Sequence, residues 1–209
     1  MCYDQSCLGY LLVAIIVGFI GLIYFSLKYR KIFLANNLKI SADQIWEGVA
    51  ERATQANFEK SDLLFSIYQD KLSAVGMLIF KNSQDQVVGR IECPLGSREY
   101  KMLVGQDEYR INFLLSGWKS ACLYSAGSDS VLASFKTLNI FGKHKFDIPG
   151  VGVFVSKRPN LNLRIIFNYF IGANLVGISQ QISPTRDIGR LVVLPSTIPL
   201  HLRMFFLIC

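Results

Sequence analysis

The distribution of apolar and polar positions divides the chain into three regimes. Residues 8–27 form an unbroken run of twenty residues without a charge, Leu8-Gly-Tyr-Leu-Leu-Val-Ala-Ile-Ile-Val-Gly-Phe-Ile-Gly-Leu-Ile-Tyr-Phe-Ser-Leu27. At about 1.5 Å rise per residue such a run spans roughly 30 Å, the thickness of a hydrocarbon core, and it predicts a transmembrane helix. Tyr10 near one end, and Tyr24 and Tyr29 near the other, suit the two interfaces. Next comes a helical period: Ser41-Ala-Asp-Gln44 reads as a capping box, and Ile45, Trp46, Val49, Ala53 and Ala56 follow on one face. One amphipathic helix from Ala42 to Phe58 is expected, packed on the domain because its charges mix signs. From Leu63 onward the period falls to two.

In that third regime, pairs of strand-like runs flank short polar or Gly/Asn/Asp turns. Gly76–Phe80 pairs with Gln86–Glu92, Tyr100–Val104 with Tyr109–Leu115, Lys119–Tyr124 with Val131–Lys136, and Leu163–Tyr169 with Leu175–Gln181. Phe146–Val155, interrupted at Pro149-Gly150, adds a further strand. A string of antiparallel hairpins must close or cover its edges, so a barrel over residues 61–209 is the expected architecture. The last stretch, Ile188 to Cys209, is apolar on nearly every side. Prolines are tolerated in the first turn of a helix, so Pro195 and Pro199 favour a closing helix over 197–208 that starts near Thr197. A helix apolar all round lies in a core or in a membrane; Arg190, His201 and Arg203 favour the core. The expected fold class is therefore β-rich (α+β): one transmembrane helix, then an antiparallel β-barrel around a hydrophobic C-terminal helix.

The flanks of the first run set its orientation. Residues 1–7 contain Asp4 and no Lys or Arg, whereas Lys28, Arg30 and Lys31 follow the run directly. A cleaved signal peptide would carry a basic leading region and a small-residue cleavage site. The positive-inside rule places residues 1–7 outside and the large domain in the cytoplasm, with 28–60 as a basic linker and helix. Gly18 and Gly21 miss the GxxxG spacing, so no helix dimer is inferred from them.

Three stretches resemble the tubby-like fold, which includes the phospholipid scramblases and the LURP-one-related proteins. The hairpin Met77-Leu-Ile-Phe-Lys-Asn-Ser-Gln-Asp-Gln-Val-Val-Gly-Arg-Ile91 has that family's strand, polar turn and Val-Gly-Arg-Ile return. Leu175-Val-Gly-Ile178 repeats the return, and Asp187-Ile-Gly-Arg-Leu-Val-Val-Leu-Pro195 with the apolar helix behind it resembles the closing segment. The resemblance covers roughly residues 60–209. It implies a scaffold or lipid-facing domain, since tubby domains bind phosphoinositide headgroups through basic residues. The sequence departs from the scramblases where they carry an acidic calcium-binding segment. Ser183-Pro-Thr-Arg-Asp187 has one carboxylate, too few for a shell of six to eight oxygens. Lipid movement between leaflets remains an alternative function, and a purely structural assembly role is another.

Charge sharpens this picture. Residues 1–100 carry 10 Lys and Arg against 10 Asp and Glu; residues 101–209 carry 12 against 5, so the formal excess of +7 lies in the second half. Clustered basicity favours anionic partners. The expected partners are the lipid bilayer itself and anionic phospholipid or a membrane protein. Nucleic acid is not expected, since the chain has no aromatic-basic module motif. Lys143 and Lys145 flank His144 at a spacing that puts both on one strand face, and Lys157-Arg158 sits in a turn before Pro159. With Lys28, Arg30 and Lys31 these are the candidate headgroup contacts; each is equally at home as a solvated surface residue. No catalytic residue, cofactor or metal ligand is expected: GxSxG, P-loop and strand-borne GxGxxG motifs are absent, and the five cysteines form no CxxC pair. Cys93 or Cys122 beside His144 would make a nucleophile pair, though a buried structural thiol is the commoner use.

Overall fold

A strand with one face on a core and one in solvent alternates buried and exposed residues, and most of the chain after Leu63 does so. In the computed structural model the described residues are 13, 15–25, 28, 40–70, 75–114, 120–139, 143–159, 166–182 and 189–209. They belong to two compact units, Met1–Lys39 and Ile40–Cys209. In the first unit residues 13, 15–25 and 28 are helical. Every Val, Ile, Leu, Phe and Tyr described from Val13 to Phe25 is exposed. Among the described residues no helix is long and apolar enough to cross a membrane. The span expected over 8–27 is thus described only in its middle, and Arg30 and Lys31 lie outside the described residues.

The second unit contains, among its described residues, twelve strands: β1 Leu63–Asp70, β2 Val75–Asn82, β3 Val87–Pro94, β4 Glu99–Val104, β5 Asp107–Phe113, β6 Ser120–Ser125, β7 Val131–Thr137, β8 His144–Ile148, β9 Gly152–Lys157, β10 Ile166–Ile171, β11 Asn174–Gln181 and β12 Gly189–Val193. Each pairs antiparallel with its sequence neighbour, and β1 pairs with β12 from Leu63↔Val193 to Ile67↔Gly189, closing the barrel. The closed sheet leaves no edge to pair with another chain. With its own core and no open edge, the unit Ile40–Cys209 has what a domain needs to fold alone.

The four expected hairpins are present, and the structure adds to them. Phe146–Val155 is not one interrupted strand but a fifth hairpin, β8–β9, turning at Pro149–Val151. β12 lies in the segment read only as apolar tail. Its Val192 faces the interior, while Leu191 and Val193 face outward under helices, so both sides are buried and no alternation shows.

Those covering helices also differ from expectation. Instead of one helix over 42–58 there are two, α1 Ala42–Glu47 and α2 Ala50–Gln55. Gly48, a weak helix former, caps α1, and Val49 leaves helical geometry at φ −130°. The break lets Ile45, Val49, Ala53 and Phe58 all pack on the outer sides of β1, β11 and β12. The capping box is as read: Ser41 Oγ accepts from the Gln44 N–H at 3.3 Å, and Gln44 Oε1 accepts from the Ser41 N–H at 3.2 Å.

The closing helix, α3, runs from Leu200 to Ile208, not from Thr197. Proline disfavours helical backbone in the residue before it, so Ile198 cannot continue a helix into Pro199; Pro199 becomes the N-cap. Every residue from Leu202 to Ile208 is buried, because α3 fills the barrel. Phe206 stacks on Phe146 at 4.2 Å between ring centroids and meets Tyr169 and Phe154 edge-on at 5.0 and 5.1 Å. Asp62 ties the entry of this helix to β1: its carbonyl accepts from the Arg203 guanidinium and the Leu194 N–H, and its carboxylate from the Ser196 N–H at 3.0 Å.

Two glycines from the hairpin returns give the helix its room. A Cβ on Gly89 would lie 2.7 Å from Met204 Sδ and 2.8 Å from the Leu103 carbonyl oxygen. One on Gly177 would lie 2.3 Å from Leu194 Cδ2 and 3.1 Å from the Val193 carbonyl oxygen. The Gly89 contact includes backbone that cannot swing aside. Gly89→Ala is therefore expected to lower the unfolding free energy of residues 40–209 by about 1–3 kcal/mol. Phe206→Ala should cost roughly 3–5 kcal/mol by emptying the centre of the core. Urea denaturation followed by near-UV circular dichroism measures both; a Gly89→Ala protein as stable as wild type would show that the helix is not packed against β3.

Candidate functional site

The barrel has two ends of different character. Helix α3 enters at the end carrying the 105–106 and 172–173 turns, where Phe80 and Met204 are fully buried. It finishes at the other, which we call the exit mouth. Inward polar side chains gather there: Ser66 on β1, His144 on β8, Ser156 on β9, Tyr169 on β10, Ser179 on β11 and Arg190 on β12. Tyr169 and Ser179 share a hydrogen bond of 2.9 Å between hydroxyls. Burial holds the Tyr169 phenol up at about 12, as it does for Tyr100 on β4.

Arg190 is anchored through its own backbone. The Ser66 hydroxyl accepts from the Arg190 N–H and donates to the Arg190 carbonyl, both at 3.3 Å. Its neighbour Gly189 presses on the same strand: a Cβ there would lie 1.9 Å from the Ser66 carbonyl oxygen. No other residue type fits without moving β1. Arg190 lines a cavity of about 480 Å³ together with Ser66, Tyr68, Gly76, Leu78, Cys93, Leu95, Tyr100, Gly189, Leu207 and Ile208. Such a volume, mostly apolar with a few polar groups, is typical of small-ligand sites.

His144 sits on the far side of the mouth between the rings of Phe135 and Phe167, with centroids at 5.3 and 5.0 Å. Burial, and then the charge of Arg190, push its imidazole down to about 4. Its Nδ1 is buried without a hydrogen-bond partner among the described residues. The neutral ring is what this wall accommodates. His201, in the first turn of α3, stacks on Tyr109 at 4.5 Å, and burial lowers its pKa too.

The nucleophile pairs considered from sequence do not assemble. Cys122 on β6 lies on the outer wall with Ser134 and Asp147, whereas His144 faces inward. Cys93 lies across the barrel on β3, and burial pushes its thiol up to about 12. Among the described residues no three His, Cys, Asp or Glu side chains gather as a metal site would require.

Of the basic candidates, the three lysines Lys143, Lys145 and Lys157 fall on the outer wall at this same end, while the Nε of Arg158 is buried. Lys143 is exposed just before β8, Lys157 closes β9, and half-buried Arg158 follows it. Lys143 and Lys157 lie one position beyond the His144↔Ser156 pair, so alternation turns both outward. Lys145 points outward from β8 and pairs with Asp147 at 3.2 Å. Lys157 Nζ stands 5.1 Å above the Phe170 ring. Lys28 is helical and exposed in the other unit. Asp187 and the segment before it lie outside the described residues.

The structure adds one residue that sequence reasoning missed. Lys136 on β7 is directly opposite Lys145. Only the register of β7 with β8 brings them together, and the connection between them carries no signal for that register. Like charges directly opposite on a sheet repel. The charged residues of β7–β9, with Lys143, are four lysines and one aspartate. On the opposite wall the charges pair: Arg90 with Glu92 at 3.8 Å, Lys101 with Glu108 at 2.7 Å, and Arg110 with Asp129 at 3.2 Å.

Comparison of the chain with family models, with curated proteins and with solved structures gave no match in any of the three. The site is therefore read from its own chemistry.

The lowered pKa of His144 makes stability depend on pH. Above an unfolded value near 6.5 both states hold the neutral ring. As pH falls from 6.5 towards 4 the unfolded chain takes up a proton that the folded chain refuses, so stability declines and then levels. His144→Phe should remove part of this decline, on the order of 1 kcal/mol after discounting for solvent at the mouth. Thermal melts of both proteins at pH 7 and pH 4.5 provide the comparison, and parallel losses would show that His144 titrates normally.

Proposed function

We propose that this chain is a membrane-anchored, non-enzymatic domain that engages anionic phospholipid headgroups with the wall formed by β7–β9. The observation that carries the reading is the charge asymmetry of the barrel. Lys136, Lys143, Lys145 and Lys157 stand outward beside one acidic residue, Asp147, while the opposite wall pairs its charges internally. An opposed lysine pair costs stability unless an anion lies over it. Each basic residue near an anionic surface contributes about 1 kcal/mol of attraction.

Anchoring by residues 8–27 belongs to the same proposal. The described part of that run is helical and presents exposed apolar side chains throughout, as a lipid-facing helix does. Lys28, Arg30 and Lys31 behind it favour a cytoplasmic position for the barrel. A tubby-like kinship is supported by a closed barrel filled by a C-terminal helix, and by the steric need for glycine in both Val-Gly returns.

Flotation of residues 40–209 with vesicles tests the headgroup reading without the anchor. Binding to vesicles containing phosphatidylserine, little binding to phosphatidylcholine alone, and loss with rising salt are the expected results. Replacing Lys136, Lys143, Lys145 and Lys157 together by Gln should weaken binding ~100-fold or more. Equal binding to neutral and anionic vesicles would reject the reading. So would retention of binding by the fourfold variant, or binding to a stoichiometric protein partner with no affinity for lipid.

A further inference from the structure

The cavity at the exit mouth is distinct from the outer basic wall, because its residues point inward. Three features of it converge on one kind of ligand. Its walls are apolar on several sides, with Leu78 from β2, Leu207 and Ile208 from α3, and Leu95 just beyond β3. Leu95 is 85% exposed, which makes an apolar lip where the cavity opens to solvent. Among the described residues of this lining stands one cation, Arg190.

No Asp or Glu side chain lies within ion-pair distance of the Arg190 guanidinium among the described residues. The nearby end of α3 offers it the partial negative charge of a helix C-terminus, worth about half an elementary charge. Cys209, which follows α3, lines an adjoining crevice with Arg190, and no ion pair joins the two. The remaining described side chains of the lining are hydroxyls and a thiol, and burial holds Tyr100 and Cys93 up at about 12. Facing Arg190 from β8 is His144, whose imidazole is held neutral there and adds no second charge. The backbone that carries Arg190 is held to β1 by the two Ser66 hydrogen bonds and by the close approach of Gly189. A guanidinium in an apolar, partly enclosed space binds a carboxylate or phosphate more strongly than the same group in water.

We propose that the exit mouth binds a single-chain amphiphile with an acidic head: the acyl chain lies against Leu78, Leu95, Leu207 and Ile208, and the acid group meets Arg190. The volume of about 480 Å³ suits one chain and not a two-chain phospholipid with its headgroup. A free fatty acid and a lysophospholipid with a terminal phosphate present the same chemistry. This site does not rest on the headgroup reading of β7–β9.

The test uses residues 40–209 and dansyl-undecanoic acid, whose fluorescence rises in an apolar site, displaced by competitors below their micelle concentrations. Palmitate or 1-palmitoyl lysophosphatidate should displace it at least tenfold better than hexadecanol, and inorganic phosphate should not displace it. Whichever acid leads identifies the head. Arg190→Gln should reduce the acids to the level of hexadecanol while leaving hexadecanol unchanged. Cys93→Trp, which fills the cavity, should abolish binding of all three. The fourfold lysine variant should bind as wild type does. The proposal is overturned if hexadecanol equals the acids, if Arg190→Gln leaves their lead intact, or if the fourfold variant loses the probe. If Cys93→Trp does not fold, the Arg190→Gln result decides alone.

Discussion

A sheet that closes on itself must be filled, and in this barrel the filling comes from the same chain. The twelve strands enclose a space wide enough for an α-helix, and α3 occupies it with a side chain on every face. An empty interior would forfeit the dispersion contacts of both wall and helix; an overfull one would force strands apart. Much of the remaining structure follows from that fit. Gly89 and Gly177 stand where the helix and its entry loop approach the wall most closely. Asp62 gathers three donors from the entry loop and α3, so the helix enters in one register. The outer helices α1 and α2 complete the seam by covering β1 and β12, whose outward residues would otherwise leave a greasy strip in water.

A helix that fills most of a barrel leaves its two ends unequal. Where α3 enters, aromatic and aliphatic side chains close over it. Where it stops, the wall continues past Leu207 and Ile208 and a cavity remains. Inward positions there lie near solvent and near a helix C-terminus, so polar and cationic side chains are tolerated in a way the centre would not allow. Ser66, Tyr169, Ser179 and Arg190 occupy those positions, and His144 is held neutral among them. Binding chemistry can be placed at this end without weakening the packed centre.

The outside of the barrel is divided by charge, not by shape. Between β2 and β6 opposite charges are paired, Arg90 with Glu92 along β3 and Lys101 with Glu108 between β4 and β5, which weakens their field at a distance. Between β7 and β9 the lysines have few local partners, so their potential extends into solvent and is screened only over about a Debye length. Four lysines against one aspartate give this wall a net charge of +3, a large share of the chain's +7.

What was legible from the sequence was what local physics dictates: the apolar run at 8–27, the Ser41 capping box, the period-two hairpins and an apolar end that had to be buried. Hairpins are local, so each pair of strands and its turn could be read directly. The break at Gly48 was misplaced because the apolar period runs on through a residue that favours helix only weakly, and the start of α3 because of the restraint a proline puts on the residue before it. β12 was missed because a strand buried on both faces does not alternate. Its identity depends on α1 and α2 outside and α3 inside, which only the closed sheet brings together. The same holds for the sites. Lys143, Lys145, Lys157 and Arg158 could be named from spacing, but the meeting of Lys136 with Lys145, and the inward turn of Arg190 into an apolar mouth, are matters of register across strands distant in sequence. A one-residue slip would reverse which face each side chain occupies, so that choice belongs to the tertiary structure.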